Sequence, residues 1–141
     1  MRWAVTGGVS ALQPAAVRAA GQAERLGVDP ARRDVVELAV HELLANALEH
    51  GHAGDPELPI DVEVDRRGGG PVTVRITDQA VAGPWDGATV AGTGDAVPSR
   101  RGRGWWLVRA GVSSARVHSG PDATVVVVEL ATMPAVAGAG R

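Results

Sequence analysis

Glu42-Leu-Leu-Ala-Asn46-Ala-Leu-Glu-His50-Gly51 sets a carboxylate, a carboxamide and an imidazole at i, i+4 and i+8. On an α-helix those three side chains line one stripe. Upstream, Asp29-Pro30 supplies an N-cap followed by proline at the first helical position, and Gly51 supplies a stop, so one long helix is expected from there to about Glu49. Val36, Ala39, Val40, Leu43, Leu44 and Ala47 form its apolar face, with the Glu42, Asn46 and His50 stripe along one border. Groups at such a border can meet a ligand while the helix stays anchored. A side-chain amide oxygen suits a hard cation such as Mg2+, and a carboxylate can take a proton from a hydroxyl, so Asn46 and Glu42 suit a nucleotide site.

Working outward, Trp3-Ala-Val-Thr reads as a short strand, and Leu12 to Leu26 has helical spacing with Pro14 in its first turn. Residues 60–65 and 72–77 alternate strictly between apolar and polar, with a turn at 66–71, which predicts a β-hairpin with one covered face and Asp78 just past its end. Residues 79–101 hold Gly83-Pro84, Gly87, Gly92, Gly94 and Pro98 with little periodicity, the pattern of a long loop that is either functional or disordered. A short helix is expected from Gly102, then strands at 114–118 and 124–129. The order predicts an α/β (α+β) two-layer sandwich whose mixed or antiparallel sheet is covered on one face by helices. One domain over 1–132 and a frayed Ala/Gly-rich tail over 133–141 complete the expected organisation.

Composition narrows the class. The chain has 141 residues, 45% of them apolar, with no Phe or Tyr and four Trp, so the core must be aliphatic and rich in β-branched strands. Its net charge of -2 gives no long-range attraction toward nucleic acid or anionic membranes. With no cysteine, disulfides and thiolate metal sites are excluded. The amino terminus lacks the apolar run of a signal peptide, and no stretch reaches the roughly 18 residues of a membrane span, so a cytoplasmic protein is expected. His50-x-His52 with Asp55 offers metal-ligand types, but a third histidine is missing nearby and the segment reads as a mobile loop. Trp85 lies in the long loop as a candidate partner anchor, whereas Trp105-Trp106 reads as core.

Four motifs in order carry a resemblance. Glu42-x-x-x-Asn46-Ala-x-x-His50-Gly51, Asp78 after a strand, Gly102-x-Gly104 opening a helix, and Ala123-Thr124 entering the last strand resemble the GHKL (Bergerat-fold) ATP-binding superfamily over residues 35–130. The short chain and the Gly-Arg-Gly-x-Trp-Leu-Val-Arg run resemble, within it, the stand-alone anti-sigma-factor serine kinases of actinomycetes. That resemblance implies ATP and Mg2+ as cofactors, with Asn46 holding the metal and Glu42 orienting or deprotonating the attacking hydroxyl. It implies that Asp78 accepts from the adenine amino group, that Thr124 closes the adenine pocket, and that Gly102 and Gly104 bring backbone amides to phosphate beside Arg100, Arg101 and Arg103. His50 either touches the ligand or caps and packs the helix end. The 79–101 loop would be the lid. Implied partners are a sigma factor and an anti-anti-sigma (STAS-type) antagonist phosphorylated on serine, with no nucleic acid or membrane, and a homodimer.

Taken singly, the same residues have plainer readings: Glu42 as a solvated charge, Asp78 as a strand end, Gly102-x-Gly104 as a bare helix start. The sequence also departs from the family. Where the adenine motif has Asp-x-Gly-x-Gly, this chain reads Asp78-Gln-Ala80-Val-Ala82-Gly83. An alanine at positive φ costs on the order of 1 kcal/mol, so either the grip on ATP is weakened or Gly83 supplies the bend one residue late. The rival function is therefore a nucleotide-gated or nucleotide-free docking module without kinase turnover.

Overall fold

Strict apolar/polar alternation becomes a sheet of five described strands. In a computed structural model of the chain, which describes residues 1–81 and 112–134, these are β1 (Arg2–Val5), β2 (Ile60–Arg66), β3 (Val72–Asp78), β4 (Ser114–Ser119) and β5 (Thr124–Leu130). Their spatial order is β1-β2-β3-β5-β4. Every described pairing is antiparallel, which resolves the mixed-or-antiparallel alternative. On one face Val62, Val64, Val72, Val74, Ile76, Val126, Val128 and Leu130 are buried, each contributing about 1.5 kcal/mol or more by leaving water.

Helices α1 (Val9–Arg25) and α2 (Arg33–Asn46) cover that face and complete an α+β two-layer arrangement. The interface between them is built from small side chains: Ala15, Ala16, Ala19, Ala20 and Ala23 of α1 are buried against the core shared with Val36, Ala39, Val40, Leu43 and Leu44. Because α1 starts at Val9, Pro14 lies inside the helix rather than in its first turn, and its ring leaves the Ser10 carbonyl without the usual i→i−4 donor. Leu12 and Ala15, both buried, keep the two sides of that gap packed on the core. Among the described residues no helix is long and apolar enough to cross a membrane.

Asp29 caps as expected, its Oδ1 accepting from Ala31 N at 3.0 Å. The segment it starts is not one uniform helix. A 3-10 turn at Pro30–Arg32 leads into α2, and α2 ends at Asn46, where the chain widens into a π turn over Ala47–Gly51. His52 N donates to Ala47 O at 3.0 Å across that turn.

At the opposite end of the sheet Arg66 ties three segments together. It donates to the Leu26 carbonyl after α1 (2.8 Å), to the Gly70 carbonyl in the β2–β3 turn (2.7 Å) and to Thr132 Oγ1 beyond β5 (3.2 Å). Nearby, Met133 N donates to the Gly27 carbonyl at 2.9 Å.

Candidate functional site

Asp78 is the last residue of β3 rather than a residue beyond it, and it is only 1% exposed. Strand register places Thr124, the first residue of β5, directly opposite. Thr124 is fully buried, and its Oγ1 finds no hydrogen-bond partner among the described residues. A carboxylate that only accepts thus stands beside a hydroxyl that can donate or accept.

The π turn brings the helix end to the same place. A Cβ on Gly51 would fall 2.2 Å from Asp78 Cγ, so only glycine lets the backbone lie this close to the carboxylate. Asp78 Oδ1 in turn accepts from Ala80 N at 2.8 Å. This tight turn sets Ala80 at φ +51°, where a side chain costs about 1–2 kcal/mol. The alanine at the family's glycine position therefore does take the left-handed conformation.

Glu42 and Asn46 stand one turn apart on the last stretch of α2. Asn46 is 8% exposed, deeper than a border position implies. Glu42 is half-buried, with Oε2 out of contact with solvent and unpartnered among the described residues. His50 follows within the π turn, half-buried, where the helical period that aligns Glu42 with Asn46 has changed. Gly83, Gly102, Arg103 and Gly104, with Arg100, Arg101, the expected lid beyond Val81, Trp85 and Trp105-Trp106, lie outside the described residues.

His52 is the residue that sequence reasoning missed. Expected in a mobile loop, it is fully buried, and its Nε2 accepts from Gln79 N at 2.8 Å. Burial pushes its pKa below the ordinary histidine value, against the opposing pull of Asp78 and Asp55. The imidazole is thus held neutral, with its proton on Nδ1, and Nδ1 has no partner among the described residues. No group of three or more His, Asp or Glu among the described residues could hold a metal ion. The signal for His52 was its adjacency to Gly51, which hydrophobic periodicity does not register.

The model of the histidine kinase-like ATPase domain matches residues 9–130, nearly the whole described body. The chain belongs to the histidine kinase-like ATPase domain family. No curated protein matches it. Among solved structures, it is similar to the chain of the RsbU and RsbW domains of Rv1364c from Mycobacterium tuberculosis, at 22% identity and TM-score 0.66 over 96% of this chain. It spans 33% of that longer chain. It is also similar to a chain of the SiaB–SiaC complex from Pseudomonas aeruginosa, at 14% identity and TM-score 0.53, over 92% of this chain and 88% of that one. At such identities the likeness is one of fold.

Membership of an ATPase family means a nucleotide site, and the described residues fit one. The adenine edge offers an amino donor beside a ring-nitrogen acceptor; the Asp78 carboxylate could match the first and the Thr124 hydroxyl, without a partner among the described residues, the second. Asn46 supplies the oxygen type that a hard cation takes.

Proposed function

We propose that this chain is a Mg-ATP-dependent regulatory protein of the anti-sigma-factor serine kinase type. It would bind a sigma factor and phosphorylate a serine on a STAS-type antagonist, acting in the cytoplasm and as a homodimer. The observation that carries the ATP half is the register pair Asp78 and Thr124, buried together and roofed by Gly51. The partner half rests on the sequence resemblance, and a similar chain found in the SiaB–SiaC complex is in keeping with it.

Asp78 would accept from the adenine amino group and Thr124 would donate to the ring, a pairing that leaves guanine mismatched at a buried carboxylate. Asn46 would hold Mg2+ through its side-chain oxygen. Bound Mg-ATP supplies the transferable γ-phosphoryl group and the metal charge that offsets it. Glu42 would take the proton of the serine hydroxyl as that oxygen bonds to phosphorus and ADP departs. Its buried, unpartnered Oε2 suits a base that is not tied to another residue. Phosphoryl transfer of this kind is mostly positioning and electrostatics.

The rival is a docking module without turnover, and Ala80 at φ +51° favours it. Thermal melting with ATP, ADP, GTP or no nucleotide, with and without Mg2+, in wild type and Asn46→Ala, separates the two. A ligand that binds only the native state must raise the midpoint. The ATPase reading expects a Mg-dependent rise with ATP, none with GTP, and loss of the metal dependence in Asn46→Ala. No shift with any nucleotide at millimolar concentration would leave the docking module.

A further inference from the structure

Among the described residues, three bonds bear on the turn that presents Asp78. Ala80 N donates to Asp78 Oδ1 at 2.8 Å, Gln79 Nε2 donates to the Pro59 carbonyl at 3.3 Å, and Gln79 N donates to His52 Nε2 at 2.8 Å. The first is internal to the turn and the second lies at the surface. The third ties the turn's backbone to a side chain at the helix end. A turn with glycine at position 80 would adopt its conformation without strain, whereas this one carries Ala80 at φ +51° and depends more on its anchors.

From this arrangement we propose that His52 is a positioning residue: its neutral imidazole latches the Asp78–Gln79–Ala80 turn in the nucleotide-accepting geometry, and protonation releases the latch. The chemistry is direct. Nε2 can accept from the Gln79 amide only while it lacks a proton; imidazolium presents an N–H at both nitrogens, so two donors then face each other. Asp78 on β3 and Asp55 after the π turn are the charged groups that bear on His52. Both favour its protonated form. Burial opposes them and prevails, so the latch is closed near neutrality and opens on acidification. No neighbour competes for Nδ1 among the described residues, which leaves the Gln79 bond to fix the ring.

This inference rests on the nucleotide reading, and two measurements keep their failures apart. The first uses nucleotide-free protein: the protection factor of the Gln79 amide against hydrogen exchange, followed with the His52 ring resonances from pH 7.5 to 5. Protection should fall as the imidazole titrates. It should be lost throughout in His52→Leu and persist across the range in His52→Gln, whose side-chain oxygen accepts at every pH. The second is Mg-ATP affinity over the same range. Wild type should weaken about five- to tenfold relative to His52→Gln, the worth of one hydrogen bond, and the ratio cancels the ligand's own phosphate titration.

A Gln79 amide as well protected in His52→Leu as in wild type, or unaffected by the ring's titration, overturns the latch. Should His52→Leu fail to fold, wild type against His52→Gln decides the same point. If wild type binds no nucleotide while the exchange pattern holds, the latch stands and the nucleotide reading falls.

Discussion

Gly51→Ala tests the closest approach in the candidate site. The added Cβ would sit 2.2 Å from Asp78 Cγ and 2.3 and 2.5 Å from its two oxygens, more than an ångström inside van der Waals contact at about 3.5 Å. Asp78 is 1% exposed and its Oδ1 is already bonded to Ala80 N, so the carboxylate has no free direction in which to retreat. Overpacking of this kind costs about 1–3 kcal/mol, and the upper half of that range applies where both groups are fixed. At about 3 °C per kcal/mol for a chain of this size, melting should fall by about 6–9 °C. Gly54→Ala is the control: it has positive φ (+82°) but nothing within 4 Å, so it should lose only about 1 kcal/mol. The assay is a double-mutant cycle by thermal melting across wild type, Gly51→Ala, Asp78→Ala and the double variant, with Mg-ATP affinity measured in each. The double variant should recover stability lost in Gly51→Ala, giving a coupling above about 1 kcal/mol. Additive effects, or a Gly51→Ala protein that melts within about 2 °C of wild type, would refute the steric argument.

Ala80→Gly should leave stability in thermal melting unchanged or raise it by less than about 1 kcal/mol, since relief of the left-handed strain offsets the greater freedom of glycine in the unfolded chain. Ala19→Gly, at a fully buried helical position, should lose about 1 kcal/mol or more in the same assay. Acidification from pH 7 to 5 should destabilise the protein through His52. Its unfolded form binds a proton from about pH 6.5 downward and its folded form only at lower pH, so the unfolded state holds more protons in that window and stability falls with pH. Chemical denaturation at several pH values should show this slope reduced in His52→Gln. Arg66→Met should lose about 2–3 kcal/mol, because charged hydrogen bonds to Leu26, Gly70 and Thr132 go together. Glu42→Gln should cut phosphate transfer to a STAS-type substrate by about 100-fold or more while Mg-ATP affinity is retained.

The strands were legible because their buried partners alternate. Val62 and Val64 against Val74 and Ile76 leave little choice of register once one face is apolar. The apolar face of α2 was equally plain, since each residue assigned to it is buried. The break at Asn46 was not legible. A π turn needs no proline or glycine at its start, and Ala47-Leu-Glu continues a helical pattern; the break coincides with the approach of Gly51 to Asp78, a tertiary contact that local pattern does not register. His52, next in the chain, is buried beside the same turn and bonded to Gln79 N. Pro14 misled in the other direction, because the start of α1 is set by Gly7 and Gly8 at positive φ rather than by the proline.

A π turn is an α-helix carrying one residue more than its span requires. That surplus residue indexes the helix against the sheet, much as a shim sets the gap between two machined parts. The length of the chain between Asn46 and Gly51 is therefore fixed by its fit to the sheet. Between Asn46 and Gly51 no residue can be dropped without restoring a regular helix and drawing Gly51 away from Asp78. The β2–β3 turn lies at the other end of the sheet, where it answers to Arg66 through the Gly70 carbonyl and to the positive φ of Gly68, so a change there bears on that tie and not on the setting of Gly51.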